Sequence, residues 1–197
     1  PYLVMRYMRG GSLADRIAQR PLSLPEAATI VDRVGDALDY AHAHGILHRD
    51  VKPGNILFDD RGAAYLSDFG IARMIGGGDD MTVYKLTRTG FIVGTFEYIS
   101  PEQVIGRTNL DGRSDLYSLG VVIYEMLTGK LPYHDSSPHL LAAQHVRDPI
   151  PLIRSARPDL PQTADQFIHY ALAKEPEGRY QTGATLAIGL RSVAPPI

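Results

Sequence analysis

The sequence contains no cysteine. That absence excludes disulfides, thiolate metal sites and a cysteine nucleophile, and it fits a reducing compartment such as the cytoplasm. An excess of either charge is also missing. Twenty Lys and Arg against 22 Asp and Glu leave a formal net charge of -2, and the sequence pI is near 6.4. Without a basic field, neither nucleic acid nor an anionic membrane is expected as the main partner. No apolar run is long enough to cross a bilayer: the longest, YSLGVVIYEML at 117–127, carries Glu125 and falls well short of the roughly 20 residues a crossing helix needs. Nothing resembles a signal peptide. The chain also has no initiator Met and opens on Pro1-Tyr2-Leu3-Val4-Met5, inside what reads as a strand, so a preceding segment is expected in the gene. What is there is 197 residues with 44% apolar content, enough to bury a core and suited to one domain or one lobe of a larger one.

Along the chain, YLVMRYM reads as a short strand broken by RGGS, with Ser12 placed to cap a helix over 13–19. Ser23 and Glu26 have capping-box spacing, and Ala27, Ile30, Val31, Val34, Leu38 and Ala41 then recur at helical period until Gly45, a natural C-terminal cap. ILH, NILFD and AAYLSD read as short strands, the last two joined as a hairpin through DDRG. From 71 to 97 periodicity disappears and Gly, Thr and Asp dominate, which predicts a long loop of the kind that often carries function. Helices are expected over 114–127, closed by Gly129, and over 138–146, 163–173 and 181–193. The predicted class is mainly α (α+β), a helical bundle with a small β patch.

The stretch HRDVKPGN at 48–55 concentrates chemistry. Asp50, Lys52 and Asn55 share one loop between predicted strands, and Asp68 follows Asp50 by 18 residues across the hairpin. Such a set can accept a hydroxyl proton at Asp50, neutralise a transferring phosphoryl group with Lys52, and hold Mg²⁺ through the oxygens of Asn55 and Asp68. Taken alone, the same Asp and Asn residues are also ordinary turn formers. His42, His44 and His48 do not have the character of a zinc site, since two of them fall near a helix end, where His is a favourable terminus.

HRDVKPGN, SDFG at 67–70, GTFEYISPEQ at 94–103 and RSDLYSLGVVIYEMLTGKLPY at 113–133, in this order and spacing, resemble the C-terminal lobe of a eukaryotic-type Ser/Thr protein kinase, particularly its bacterial branch. The resemblance covers essentially the whole chain. It implies that residues 1–8 end the N-terminal lobe and form the hinge, that 9–193 form the C-terminal lobe, that 194–197 are a tail and that 68–102 are the activation segment. It assigns Asp50 as catalytic base, Lys52 to the γ-phosphate, and Asn55 and Asp68 to Mg²⁺ or Mn²⁺, with ATP as co-substrate. Met5 resembles the gatekeeper, Arg6 to Met8 the hinge against adenine, and Leu57 the floor of that pocket. Thr95 resembles the threonine that meets the catalytic Asp and Lys. His48 would pack beside Phe69, Glu102 would pair with Arg179, and Asp115 would hold the catalytic-loop backbone. Arg49 would receive a phosphorylated residue of the activation segment, with Thr87 and Thr89 as the autophosphorylation sites.

The glycine-rich loop, strand Lys and helix Glu of a complete kinase are not in this sequence, whose glycine clusters RGGS and GGGDD lie after the hinge and in the activation segment. The isolated 197-residue chain is therefore expected to bind MgATP poorly and to turn over negligibly. An exposed apolar surface at Leu3, Met5 and Leu57 is expected to drive self-association. The function implied is phosphorylation of Ser and Thr in proteins, with the protein itself among the substrates. A non-catalytic interaction module and a small-molecule phosphotransferase stay open as alternatives.

Overall fold

The computed structural model describes residues 6–69 and 96–193. Helix α1 (Leu13–Gln19) and helix α2 (Leu24–Ala43) both start from reciprocal caps. The Ser12 hydroxyl accepts from the Asp15 N–H while the Asp15 carboxylate accepts from the Ser12 N–H at 2.8 Å. Ser23 and Glu26 repeat the arrangement, and Glu26 also binds Arg20 at 2.7 Å. Two N–H groups that a helix start leaves unpaired are thereby satisfied at each end. At the far end of α2, Gly45 adopts φ +73°, a left-handed conformation that a side chain disfavours.

Strands β1 (Ile56–Phe58) and β2 (Ala64–Leu66) pair antiparallel in the register Ile56 with Leu66, Leu57 with Tyr65 and Phe58 with Ala64. Asp59 closes the turn by accepting from the Arg61 and Ala63 N–H groups. The chain just before α1 is tied to β1 through Gly10 N–H to Phe58 C=O and Phe58 N–H to Gly11 C=O. Leu57, opposite Ser12, is half-buried rather than fully exposed; Leu3 and Met5 lie outside the described residues. The segment 46–48 is not the strand its apolar residues suggest. Its backbone bonds elsewhere: the Ile46 N–H turns back to Ala41 of α2, and the His48 N–H goes to the Asp115 carboxylate.

Among the described residues four longer α-helices follow residue 100, besides one short α-helical turn. The short turn is α3 (Pro101–Val104), which starts from a Ser100 and Gln103 capping box. Helix α4 (Arg113–Thr128) is buried along almost its whole length and ends at Gly129 with φ +69°. Helix α5 (Pro138–Arg147), helix α6 (Thr163–Ala171) and helix α7 (Gly183–Val193) surround it. Leu116, Leu119, Ile123 and Met126 of α4 share one core with Val34 and Leu38 of α2 and Leu186 and Leu190 of α7. A smaller cluster of Phe96, Ile99, Tyr133, Leu141 and Ala142 seats α5. Helices α2 and α7 cross where Gly35 meets Gly183: a Cβ on Gly35 would stand 2.9 Å from the Gly183 carbonyl oxygen. Asp39 then caps α7 by accepting from Gly183 N–H at 2.6 Å and Ala184 N–H at 2.9 Å. The result is a rigid helical block with one small hairpin, and the loop 48–55 lies between the hairpin and α4. Among the described residues, no helix is long and apolar enough to cross a membrane.

Candidate active site

The loop after α2 is held from below. Asp115, in the first turn of α4 and almost wholly buried, accepts from the His48 N–H at 2.9 Å and the Arg49 N–H at 2.7 Å. Its Oδ2 also meets His42 Nε2 at 2.8 Å. A buried carboxylate is costly unless paired and hydrogen-bonded, and these three contacts satisfy it. They also fix a backbone under strain, since Arg49 sits at φ 65°. Gln103 of α3 adds a fourth restraint by donating to the Arg49 carbonyl. The His48 ring reaches across to the Ser67 carbonyl at 2.8 Å and lies 4.6 Å from the Phe69 ring, joining the loop to the end of the hairpin.

On this support Asp50 points outward. One of its carboxylate oxygens lies 2.8 Å from Lys52 Nζ and 3.1 Å from Asn55 Nδ2. Asn55 is buried and donates to the Asp50 carbonyl as well, at 2.8 Å. Because its NH₂ is committed to Asp50, its amide oxygen is the atom with which it can meet a cation. Ser67 links Asn55 to the second acid: its hydroxyl lies 3.1 Å from the Asn55 carbonyl and 3.2 Å from Asp68 Oδ2. Asp68 is exposed and has φ 60°, the second left-handed non-glycine of the described residues. Both sit at this site, where strain of that kind tends to collect.

An amide oxygen and a carboxylate are hard donors that suit a small divalent cation completing its shell with phosphate oxygens and water. Among the described residues no group of three or more His, Cys, Asp or Glu is placed to hold a metal by itself. A cation here would need the anionic ligand it serves.

Beneath the site lies a buried ion pair. Arg179 binds Glu102 through two parallel contacts of 2.6 and 2.8 Å. Its remaining N–H groups donate to the carbonyls of Ala173, Arg113 and Lys174, and Ser114 donates to Glu102 at 2.6 Å. Burial alone would raise the Glu102 carboxyl, but the Arg179 guanidinium and the Ser114 hydroxyl outweigh it and hold it below the usual range. This cluster braces α3 against the start of α4, from which Asp115 projects.

Met5, Thr87, Thr89 and Thr95 lie outside the described residues. Arg6 is exposed and Met8 half-buried beside the chain leading into α1. Sequence reasoning missed His42, Ser67 and Gln103. His42 was read only as a residue near a helix end, and its partner is 73 residues away, with no local spacing to reveal it. The capping-box pattern SPEQ did carry a signal for α3 and hence for Gln103.

Comparison with known proteins shows the family. The pattern of the protein kinase domain family fits residues 1–188. The chain is 43% identical over 192 residues to the serine/threonine-protein kinase PknB of Mycolicibacterium smegmatis, covering 96% of this chain and 30% of that protein. It is 44% identical over 193 residues to PknB of Mycobacterium tuberculosis, with 96% and 30% covered. It is 42% identical over 185 residues to a probable serine/threonine-protein kinase PknB of Bifidobacterium longum, with 93% and 26% covered. The chain thus spans about 30% of the length of the first two of these relatives.

Proposed function

Because this chain belongs to the protein kinase domain family, in its bacterial Ser/Thr branch, we propose that it carries the catalytic loop of an enzyme moving the γ-phosphate of ATP to Ser and Thr hydroxyls of proteins. The observation that supports this most is Asp50, set outward on a strained loop whose backbone Asp115 holds, with Lys52 at 2.8 Å and Asn55 at 3.1 Å. In this reading Asp50 orients the acceptor hydroxyl and takes its proton. Lys52 supplies positive charge to the transferring phosphoryl group. Asn55 and Asp68 would hold a divalent cation, Mg²⁺ or Mn²⁺, whose charge would offset that of the phosphates. Because the reacting groups are fixed before substrate arrives, little rearrangement is needed at the moment of transfer.

Met5, Arg6, Met8 and Leu57 are assigned to the adenine side, and Thr95 to the contact with Asp50 and Lys52. Arg49 is assigned to regulation. Its Nε is buried and has no hydrogen-bond partner among the described residues, and a phosphate brings acceptor oxygens and roughly -1.5 to -2 charge to such a group. Thr87 and Thr89 are the residues proposed to carry that phosphate, through autophosphorylation between copies. ATP as co-substrate and a cysteine-free sequence fit the cytoplasm.

Transfer from radiolabelled ATP to a generic Ser/Thr protein substrate, run beside an aminoglycoside and choline, tests the substrate class in the gene product containing this chain. Label entering protein is expected. Label entering only the small molecules would replace this reading with a small-molecule phosphotransferase. Mass spectrometry of the active protein is expected to find phosphate on Thr87 or Thr89, and two unmodified threonines would remove them from the account.

A further inference from the structure

The peptide unit that joins Arg49 to Asp50 is held at both of its polar ends. Its N–H donates to His48 Nδ1 at 3.3 Å. That nitrogen is open to accept because the other one, Nε2, donates to the Ser67 carbonyl at 2.8 Å. The carbonyl of the unit accepts from Gln103 Nε2 at 3.3 Å. Because Arg49 stands at φ 65°, a conformation that persists only where the surroundings impose it, these two contacts are part of what holds Asp50 in place. The Gln103 amide has no freedom to turn. Its Oε1 accepts from the Ser100 N–H at 3.1 Å and the Ser100 hydroxyl at 3.0 Å, so its NH₂ must face Arg49. The start of α3 asks only for the acceptor, since a carboxylate serves the third position of a capping box as well as an amide does. The boxes of α1 and α2 use carboxylates there, Asp15 and Glu26. What Gln103 adds, and a carboxylate lacks, is the donor to the catalytic loop.

We propose that Gln103 is a positioning residue for phosphoryl transfer: its NH₂ fixes the peptide unit in front of Asp50 and so ties the base to α3. One amide then has two separable tasks, the helix cap through its oxygen and the catalytic loop through its nitrogen. Gln103 is only 7% exposed, so water is poorly placed to replace the lost donor, and the Arg49 carbonyl would lose a partner. The inference rests on the kinase reading above and adds a residue on which the rate of that reaction depends.

The test separates the two tasks in the gene product containing this chain, with kcat, KM and melting temperature measured for each variant. Gln103→Glu keeps both contacts to Ser100 and removes the donor to Arg49. It is expected to lower kcat by about tenfold with KM little changed, since small displacements of a reacting group cost rate rather than affinity. Ser100→Ala weakens the cap and leaves the donor in place. It is expected to lower melting by about 2–4 °C with kcat unchanged. Gln103→Met, uncharged and of similar length, is expected to lose kcat as Gln103→Glu does, which separates loss of the donor from the introduced charge. Wild-type kcat in Gln103→Glu and Gln103→Met, or an equal loss of kcat in Ser100→Ala, would overturn the proposal while leaving the kinase reading intact. Failure of the wild type to phosphorylate any protein would remove both.

Discussion

Asp115 and Asp50 stand on either side of the same short loop and are treated oppositely. The Asp115 side chain is 1% exposed and uses both oxygens on the His48 and Arg49 backbone and the His42 ring. The Asp50 side chain is 48% exposed and has Lys52 as its ion partner. One carboxylate is desolvated and satisfied by groups that cannot move away; the other keeps water and an open face. The contrast extends outward. Around Asp115 lie the core helix α4 and the Glu102–Arg179 pair, whereas around Asp50 lie Lys52, Asn55 and the exposed Asp68. Buried, fully paired groups lie beneath the loop and the proposed reactive groups on top of it, an arrangement suited to catalysis by positioning.

The largest expected effect comes from breaking the buried side. Arg179→Ala leaves the Glu102 charge buried without its guanidinium and is expected to cost about 3–5 kcal/mol, read as a shift of the urea midpoint. A cost under 1 kcal/mol would show that the pair does not brace the lobe.

A second effect belongs to pH. Burial first, and the nearby Lys174 second, pull the His145 imidazole down to about 3. The native state therefore binds fewer protons than the unfolded chain. Stability from this group is present above the unfolded value, near 6.5, and declines as pH falls from there towards 3, by at most roughly 1.4 kcal/mol per pH unit. Denaturant titrations between pH 7 and 4 check this, and a flat profile would contradict it.

His42→Ala sharpens the comparison, because it removes a contact to Asp115 without touching Asp50. It is expected to lower kcat on the order of tenfold with KM little changed, given that a displacement of about 1 Å can cost roughly 10². His42→Gln, which can still donate to Asp115, is expected to restore part of the loss. Equal loss in both variants would mean that the imidazole packs rather than positions.

What the sequence made legible follows from distance along the chain. Asp50, Lys52 and Asn55 fall within one eight-residue stretch, so their grouping can be read without tertiary structure. Helix α2 was legible from its cap and its period, and α4 from an apolar run closed by Gly129. The segment 46–48 misled because apolar residues were taken to mean strand pairing, while its backbone bonds go to α2 and to Asp115. Residues 163 onward end as helix at Ala171 rather than 173, and the last helix begins at Gly183 rather than 181, where Asp39 caps it from 144 residues away. Partners so far apart in sequence leave no local pattern. For the same reason the His42 contact with Asp115 emerges only when the chain is folded.

The most direct test of the account is Asp50→Asn in the gene product containing this chain, with turnover and melting temperature measured on the same sample. Because Asp50 is exposed and the loop is held by Asp115, melting is expected to be nearly unchanged. Phosphate transfer to protein is expected to fall by about 10²–10⁴, the contribution of a positioned general base. Wild-type turnover in Asp50→Asn would contradict the assignment of the base, and with it the claim that the buried aspartate exists to present the exposed one.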